Sequence, residues 1–248
     1  MNTATIMILA PRKPNDATVW TYDWAQKTIK MAKNLGYNVV SIEKDATTYD
    51  NVTKSIQKYQ PRLLASFSHG CQSSLNGQKE CMITRKYEIN ELMEMEPEIL
   101  SSLLNPVKLS GCTKEICGLQ DSVCLPLCFN PTNIHLLKGT IVISVACHTS
   151  RHLGRCAVAY GATTYLGYSD LLLFPVDTMQ SQDMFGDIHI QLMKNILMGD
   201  SVGEAYNKIM KMEDSYIRMY KSVKWVGLPL LWNHKHRELL GDKSATVY

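Results

Sequence analysis

Residues Thr140–Asp170 read TIVISVACHTSRHLGRCAVAYGATTYLGYSD, and this stretch decides the fold. Ile141-Val142-Ile143-Ser144-Val145-Ala146 is an apolar, β-branched run of strand length that stops on Cys147. A helix of small residues follows, and Thr163–Tyr168 reads as a second short strand. A strand that carries a cysteine to its carboxyl end, with a helix starting just beyond, suits a nucleophilic thiol. The helix dipole and its free N–H groups would there favour the thiolate.

The preceding chain supplies the rest of a sheet. Thr5–Ala10 reads as a buried strand stopped by Pro11 and Pro14, and Asn15 or Asp16 can cap the helix that follows. Trp20, Trp24, Met31 and Leu35 step at helical spacing up to Gly36. Val39–Ile42 is a second strand. Tyr49, Val52, Ile56 and Tyr59 mark a second helix closed by Pro61, and Leu63–Ser68 is a third strand running into His69-Gly70. Strands and helices alternating over short links predict a parallel sheet with helices on both faces. Ligands of such sheets sit outside the carboxyl ends of the strands, where His69 and Cys147 both fall. Beyond the opening stretch, Phe185, Ile188, Leu192 and Ile196 space a helix ending at Gly199. Ser201 and Glu204 form a capping box for the next helix, and Leu228–Trp232 reads as a last strand.

The fold class expected is therefore α/β, a three-layer sandwich around a mostly parallel sheet, with residues 1–248 forming a single domain. Residues 71–139 break the rhythm. They carry turn signals at Asn76-Gly77 and Asn105-Pro106, a helical pattern over Glu91–Leu104, and six of the eight cysteines. They read as a Cys-rich insertion between the His-bearing and Cys-bearing strands. A net charge of +3 with scattered Lys and Arg argues against nucleic acid as a partner. No apolar run reaches 18 residues and no basic leader precedes the first strand, so no membrane association and a cytoplasmic location are expected. Free thiols or metal ligands are then favoured over a disulfide framework. Pro11-Arg12-Lys13-Pro14 stands where a nucleotide-binding fold needs a glycine-rich phosphate loop, which disfavours a flavodoxin-like domain.

The ordered set Ser68-His69-Gly70 and Val145-Ala146-Cys147, followed by Leu153-Gly154, Gly161-Ala162 and Leu166-Gly167-Tyr168, resembles the caspase-haemoglobinase fold of clan CD cysteine peptidases. The likeness is to the gingipain-like prokaryotic branch. Gly199–Ala205 and Leu240-Gly241-Asp242 also resemble the C-terminal half of that branch. The caspase Gln-Ala-Cys signature is absent, because Val145 stands where Gln would be, and His69 lies 78 positions before Cys147 against about 50 in caspases. The resemblance implies a cysteine endopeptidase that hydrolyses peptide bonds through a thioester and needs no cofactor for catalysis. Cys147 would be the nucleophile, His69 the acid/base, and the backbone N–H groups of Gly70 and Cys147 the oxyanion donors. It also implies a protein or peptide substrate, and a latent form activated by a protein partner or by cleavage within 71–139.

Other residues carry competing readings. A basic P1 residue is the expectation in this branch. Asp16, Asp170 and Asp177 are the acidic candidates near the strand ends, Val145 is a further substrate contact, and helix capping competes for Asp16. His148 and His152 follow the nucleophile and read as surface or supporting groups. Cys156 reads as core. Cys112, Cys117, Cys124 and Cys128, spaced C-x4-C-x6-C-x3-C, are a candidate structural zinc set in which only the second pair has the usual ligand spacing. Reduced thiols and disulfides are the alternatives there. The rival to an enzyme is a catalytically silent caspase-like scaffold or binding module, which would be expected to have lost its His or its Cys.

Overall fold

The computed structural model describes residues 4–14, 17–71, 74–75, 133–175 and 179–248. The sheet contains β1 (Thr5–Ala10), β2 (Asn38–Glu43), β3 (Leu63–Phe67), β6 (Ile141–Val145), β7 (Thr164–Tyr168) and β8 (Arg237–Gly241). Its strand order is β2-β1-β3-β6-β7-β8. Every pair is parallel except β7 with β8. A separate two-stranded ribbon, β4 (Gly70–Cys71) with β5 (Ser74–Leu75), leaves the carboxyl end of β3.

Side-chain alternation explains why both faces of the sheet are covered. Ile6, Ile8 and Ala10 of β1 point into one apolar cluster, with Leu63, Ala65 and Phe67 of β3 and Ile141, Ile143 and Val145 of β6. Met7, Leu9, Leu64 and Val142 point into the other. The first cluster is closed by α1 (Thr18–Asn34), α4 (Met179–Leu197), α5 (Val202–Met219) and α6 (Lys224–His236). The second is closed by α2 (Tyr49–Tyr59), α3 (Arg155–Ala159) and the 3-10 turn Ile134–Leu137. Because central strands are buried on both sides, β1, β3 and β6 read as near-continuous hydrophobic runs, interrupted by the buried Ser66 and Ser144. Each such side chain contributes about 1.5–3 kcal/mol when removed from water. The outcome is an α/β molecule of three layers with, among the described residues, six helices and a mostly parallel sheet of six strands.

Local signals account for most boundaries. Thr48 caps α2 by accepting from the Asn51 N–H. Ser201 and Glu204 complete the capping box of α5, and Gly199, at φ +108°, turns the chain out of α4. One expectation falls outside the described residues, and another needs correction. The first turn of α1 is preceded by Ala17, which makes no side-chain cap, and Asn15 and Asp16 lie outside the described residues. Leu228–Trp232 is helical, inside α6, and the last strand is Arg237–Gly241. The apolar run there conceals a helical period. Val226, Leu230 and Asn233 are buried at spacings of four and three, while Trp225, Leu228 and Leu231 face solvent. Pro229 stands inside this helix, at the sixth of its 13 residues.

A buried polar chain ties the antiparallel end of the sheet to the helices. Arg237 of β8 pairs with both carboxylate oxygens of Glu213 on α5 and donates to the Tyr168 hydroxyl at 2.7 Å. Tyr168 in turn donates to His189 Nε2 at 2.8 Å, and His189 Nδ1 donates to the Phe185 carbonyl at 2.8 Å. Burial, helped by the charge of Arg237, pushes His189 down to about 3, so its imidazole is neutral and can accept the tyrosine proton. Burial opposes the charge on Arg237, but Tyr168 and Glu213 outweigh it and raise its pKa, keeping the guanidinium charged.

No described helix is long and apolar enough to cross a membrane. The helical pattern over Glu91–Leu104, the turn signals at Asn76-Gly77 and Asn105-Pro106, and Cys112, Cys117, Cys124 and Cys128 fall outside the described residues. Among the described residues no group of three or more His, Cys, Asp or Glu is placed to hold a metal ion.

Candidate functional site

The register of the sheet builds the site. Phe67 pairs with Val145 across β3 and β6, so two positions further on His69 stands opposite Cys147. Ile143 pairs with Leu166 across β6 and β7, so Asp170 stands opposite Cys147 on the other side. The ladder continues there, with the His148 N–H donating to the Asp170 carbonyl at 2.9 Å. Leu9 pairs with Ser66 in the last rung between β1 and β3, so Arg12 and His69 both follow the carboxyl ends of neighbouring strands. Arg12, His69, Cys147 and Asp170 thus follow four adjacent strand ends at the carboxyl edge of the sheet, where open α/β sheets bind their ligands.

Gly70 shows how closely the two key loops approach. A Cβ on Gly70 would lie 2.8 Å from the Cys147 carbonyl oxygen, 2.9 Å from Ala146 Cβ and 2.5 Å from Thr149 Cγ2. Only glycine lets the His69-Gly70 backbone pack this tightly on the cysteine loop. Ser68 fixes the strand end by donating its N–H to the Val145 carbonyl at 3.3 Å and its hydroxyl to the His69 carbonyl at 3.0 Å. Thr21 of α1 adds a donor to the Phe67 carbonyl at 3.2 Å. His69 and Cys147 are both half-buried.

Cys147 is a free thiol whose sulfur accepts the N–H of Leu172 at 3.3 Å. Burial pushes its pKa up; the N–H groups of Leu172 and of Cys147 itself pull it back, and the Asp170 charge pushes it up again. The resting group is therefore the thiol. This revises the helix-dipole expectation. Residues 147–149 form a turn, then a π-type turn over Ser150–Gly154 leads into α3. The donor on sulfur comes instead from the segment after β7. Asp170→Asn removes one of the causes that raise the thiol, so the midpoint of Cys147 alkylation against pH is expected to fall. A midpoint that holds or rises in this variant would contradict the electrostatic account.

The remaining predicted residues divide clearly. Asp170 is at the site, but its carboxylate is engaged. It pairs with Arg151 at 3.0 Å, accepts the Leu171 N–H at 2.8 Å and lies 3.8 Å from His148 Nδ1. Val145 is only 1 % exposed and packs in the core, so its side chain offers no surface to a substrate. His148 adopts a left-handed backbone at φ +58°, as a tight turn straight after the strand requires. Burial, then Arg151 and Arg155, lower the pKa of His152. Cys156 lies buried on α3 as expected, but it is disulfide-bonded rather than a free thiol. Asp16 and Asp177 lie outside the described residues.

Sequence reasoning missed Leu172, because its contribution is a backbone N–H that any residue type supplies. It also missed Trp232 and Asn233, which hold the Leu172 segment from α6. Asn233, a polar residue at an inward helical position, would have stood out had Leu228–Trp232 been read at helical period. Comparison with known proteins finds no family model and no curated protein that matches this chain.

Proposed function

We propose that the protein is a cysteine endopeptidase of caspase-like fold, with Cys147 as nucleophile and His69 as acid/base. The observation that carries the reading is the register that sets His69 opposite Cys147 across two paired strand ends, locked by the close approach of Gly70. Cys147 Sγ attacks the scissile carbonyl as its proton passes to His69, giving a tetrahedral intermediate. His69 then protonates the amine, the C–N bond breaks to leave the thioester, and water hydrolyses the thioester. The N–H groups of Gly70 and Cys147 are the proposed oxyanion donors; each such donor is typically worth about 2.7–4 kcal/mol in the transition state. The resting thiol fits a latent enzyme, in which a bound protein substrate or an activating partner completes the site. The proposed preference for Arg or Lys at P1 follows the resemblance to the gingipain-like branch and not the Asp170 carboxylate, which Arg151 already occupies.

A fluorogenic peptide panel varied at P1 tests the proposal, run before and after Cys147 is blocked with iodoacetamide and the modified residue is identified by mass spectrometry. Turnover of an Arg or Lys peptide that disappears in step with Cys147 modification is expected. Turnover that persists on fully blocked protein overturns the mechanism, and turnover confined to acidic P1 overturns the specificity.

A further inference from the structure

The segment after β7 runs past Cys147 with its backbone held on the far side by one helix. Leu172 donates its N–H to Cys147 Sγ at 3.3 Å. The next residue, Leu173, is gripped at both its polar atoms. Its N–H donates to Asn233 Oδ1 at 2.9 Å, and its carbonyl accepts from Asn233 Nδ2 at 2.6 Å. One residue before, the Leu171 carbonyl accepts from Trp232 Nε1 at 3.1 Å, and Ser169 donates its N–H to the His236 carbonyl at 2.8 Å. Asn233 is 1 % exposed, a buried amide whose donor and acceptor are both used on a single backbone residue. A core position on α6 could have been filled by any apolar side chain, as Val226 and Leu230 are. The amide serves the segment, not the core.

We infer that Asn233 is a positioning residue for the nucleophile: its two-point hold on Leu173, with Trp232 on Leu171, keeps the Leu172 N–H aimed at Cys147 Sγ. This inference rests on the reading of Cys147 as the nucleophile. A fixed N–H donor favours the thiolate over the thiol, since a sulfur anion accepts a hydrogen bond far better than a neutral thiol does. Without the hold, the peptide at Leu172 is free to turn away and the anion loses that donor. The charged group that acts on the sulfur is Asp170 after β7, itself paired with Arg151 and 3.8 Å from His148 Nδ1; Arg12 and His69 follow the ends of β1 and β3, and His236 ends α6. Altering Asn233 or Trp232 removes none of these groups, and Trp232→Phe keeps an aromatic ring against His236, so a shift can be assigned to the backbone donor.

The test is the pH dependence of Cys147 alkylation by iodoacetamide, followed by mass spectrometry, in wild type, Asn233→Ala, Trp232→Phe and the outward-facing control Leu228→Ala. The midpoint is expected to rise by about one pH unit in Asn233→Ala, equivalent to about tenfold less thiolate below the midpoint. A smaller rise is expected in Trp232→Phe and no shift in Leu228→Ala. A purely structural role for Asn233 would loosen the loop and speed alkylation at every pH without moving the midpoint, and that result overturns the inference. An unmoved midpoint in a folded variant overturns it as well. Should Asn233→Ala fail to fold, Trp232→Phe decides by the same two criteria. The readout needs no peptide turnover. A midpoint shift in a protein inert toward every peptide would therefore uphold the positioning role while the peptidase reading fell.

Discussion

Cys147→Ala and His69→Ala are each expected to lower kcat/KM at least about 10⁴-fold, and the double variant to fall no further than the worse single variant. The reasoning is that the two side chains act as a unit. The resting sulfur is a thiol whose pKa burial has raised, so it needs a neighbouring acceptor to become a nucleophile. A histidine without the sulfur has nothing to activate. Residual hydrolysis in either variant would come from substrate binding and the backbone donors, which both substitutions leave in place. The measurement is kcat/KM for one peptide across the four proteins of the cycle. Additive losses would mean that His69 acts independently of Cys147, for instance in substrate binding. A His69→Ala variant within tenfold of wild type would move the base elsewhere, and His148 would be the first residue to examine.

The second large effect concerns stability. Glu213→Ala is expected to cost about 3–5 kcal/mol, because it leaves the Arg237 guanidinium buried without its counter-ion. The two side chains are 0 % and 1 % exposed, so water cannot replace the missing carboxylate. Against a total stability of about 5–15 kcal/mol, that loss would leave many molecules unfolded on modest warming. The Tyr168 hydroxyl and the Met210 sulfur would remain as acceptors for Arg237, and neither neutralises a cation. Replacing the pair together, with Glu213→Leu and Arg237→Met, is expected to cost less than either single change, since no charge is then stranded. Urea titration of wild type, Glu213→Leu, Arg237→Met and the double variant measures the coupling, with Glu213→Ala titrated beside them. A loss below about 1 kcal/mol in Glu213→Ala would mean that Arg237 finds another anion, with Asp214 the nearest candidate in sequence.

Much of the architecture was legible from local pattern because the physics behind it is local. The central strands, buried on both faces, had to be near-continuous apolar runs, and Ile141–Val145 and Leu63–Phe67 could be read directly. The Ser201–Glu204 capping box sits three residues apart and is complete within one turn. His69 and Cys147 were legible for a related reason: each ends such a run, and parallel sheets gather strand ends. What escaped was whatever depends on partners distant in sequence. Leu228–Trp232 has the composition of a strand, and only its burial against α5 and the sheet reveals the helical period. The Arg237–Glu213 pair and the hold of Asn233 on Leu173 join residues 24 and 60 positions apart, and no spacing rule connects them. Val145, expected as a substrate contact, is turned inward by alternation along β6.

The adjacency of β3 and β6 also bears on how the molecule assembles. These strands are neighbours in the sheet, but the residues they juxtapose are 78 positions apart in the chain. Closing so long a loop costs entropy before any contact between the strands repays it, although each doubling of length adds only about 0.6 kcal/mol. Parallel pairing of distant segments is among the slower events in folding. Contacts of β1 with β2 and of β1 with β3 are nearer in sequence and can form while the chain beyond residue 71 is still unplaced. The histidine is thus seated early on its strand, while the cysteine arrives with β6. An emerging polypeptide carries both groups and no site until that docking takes place.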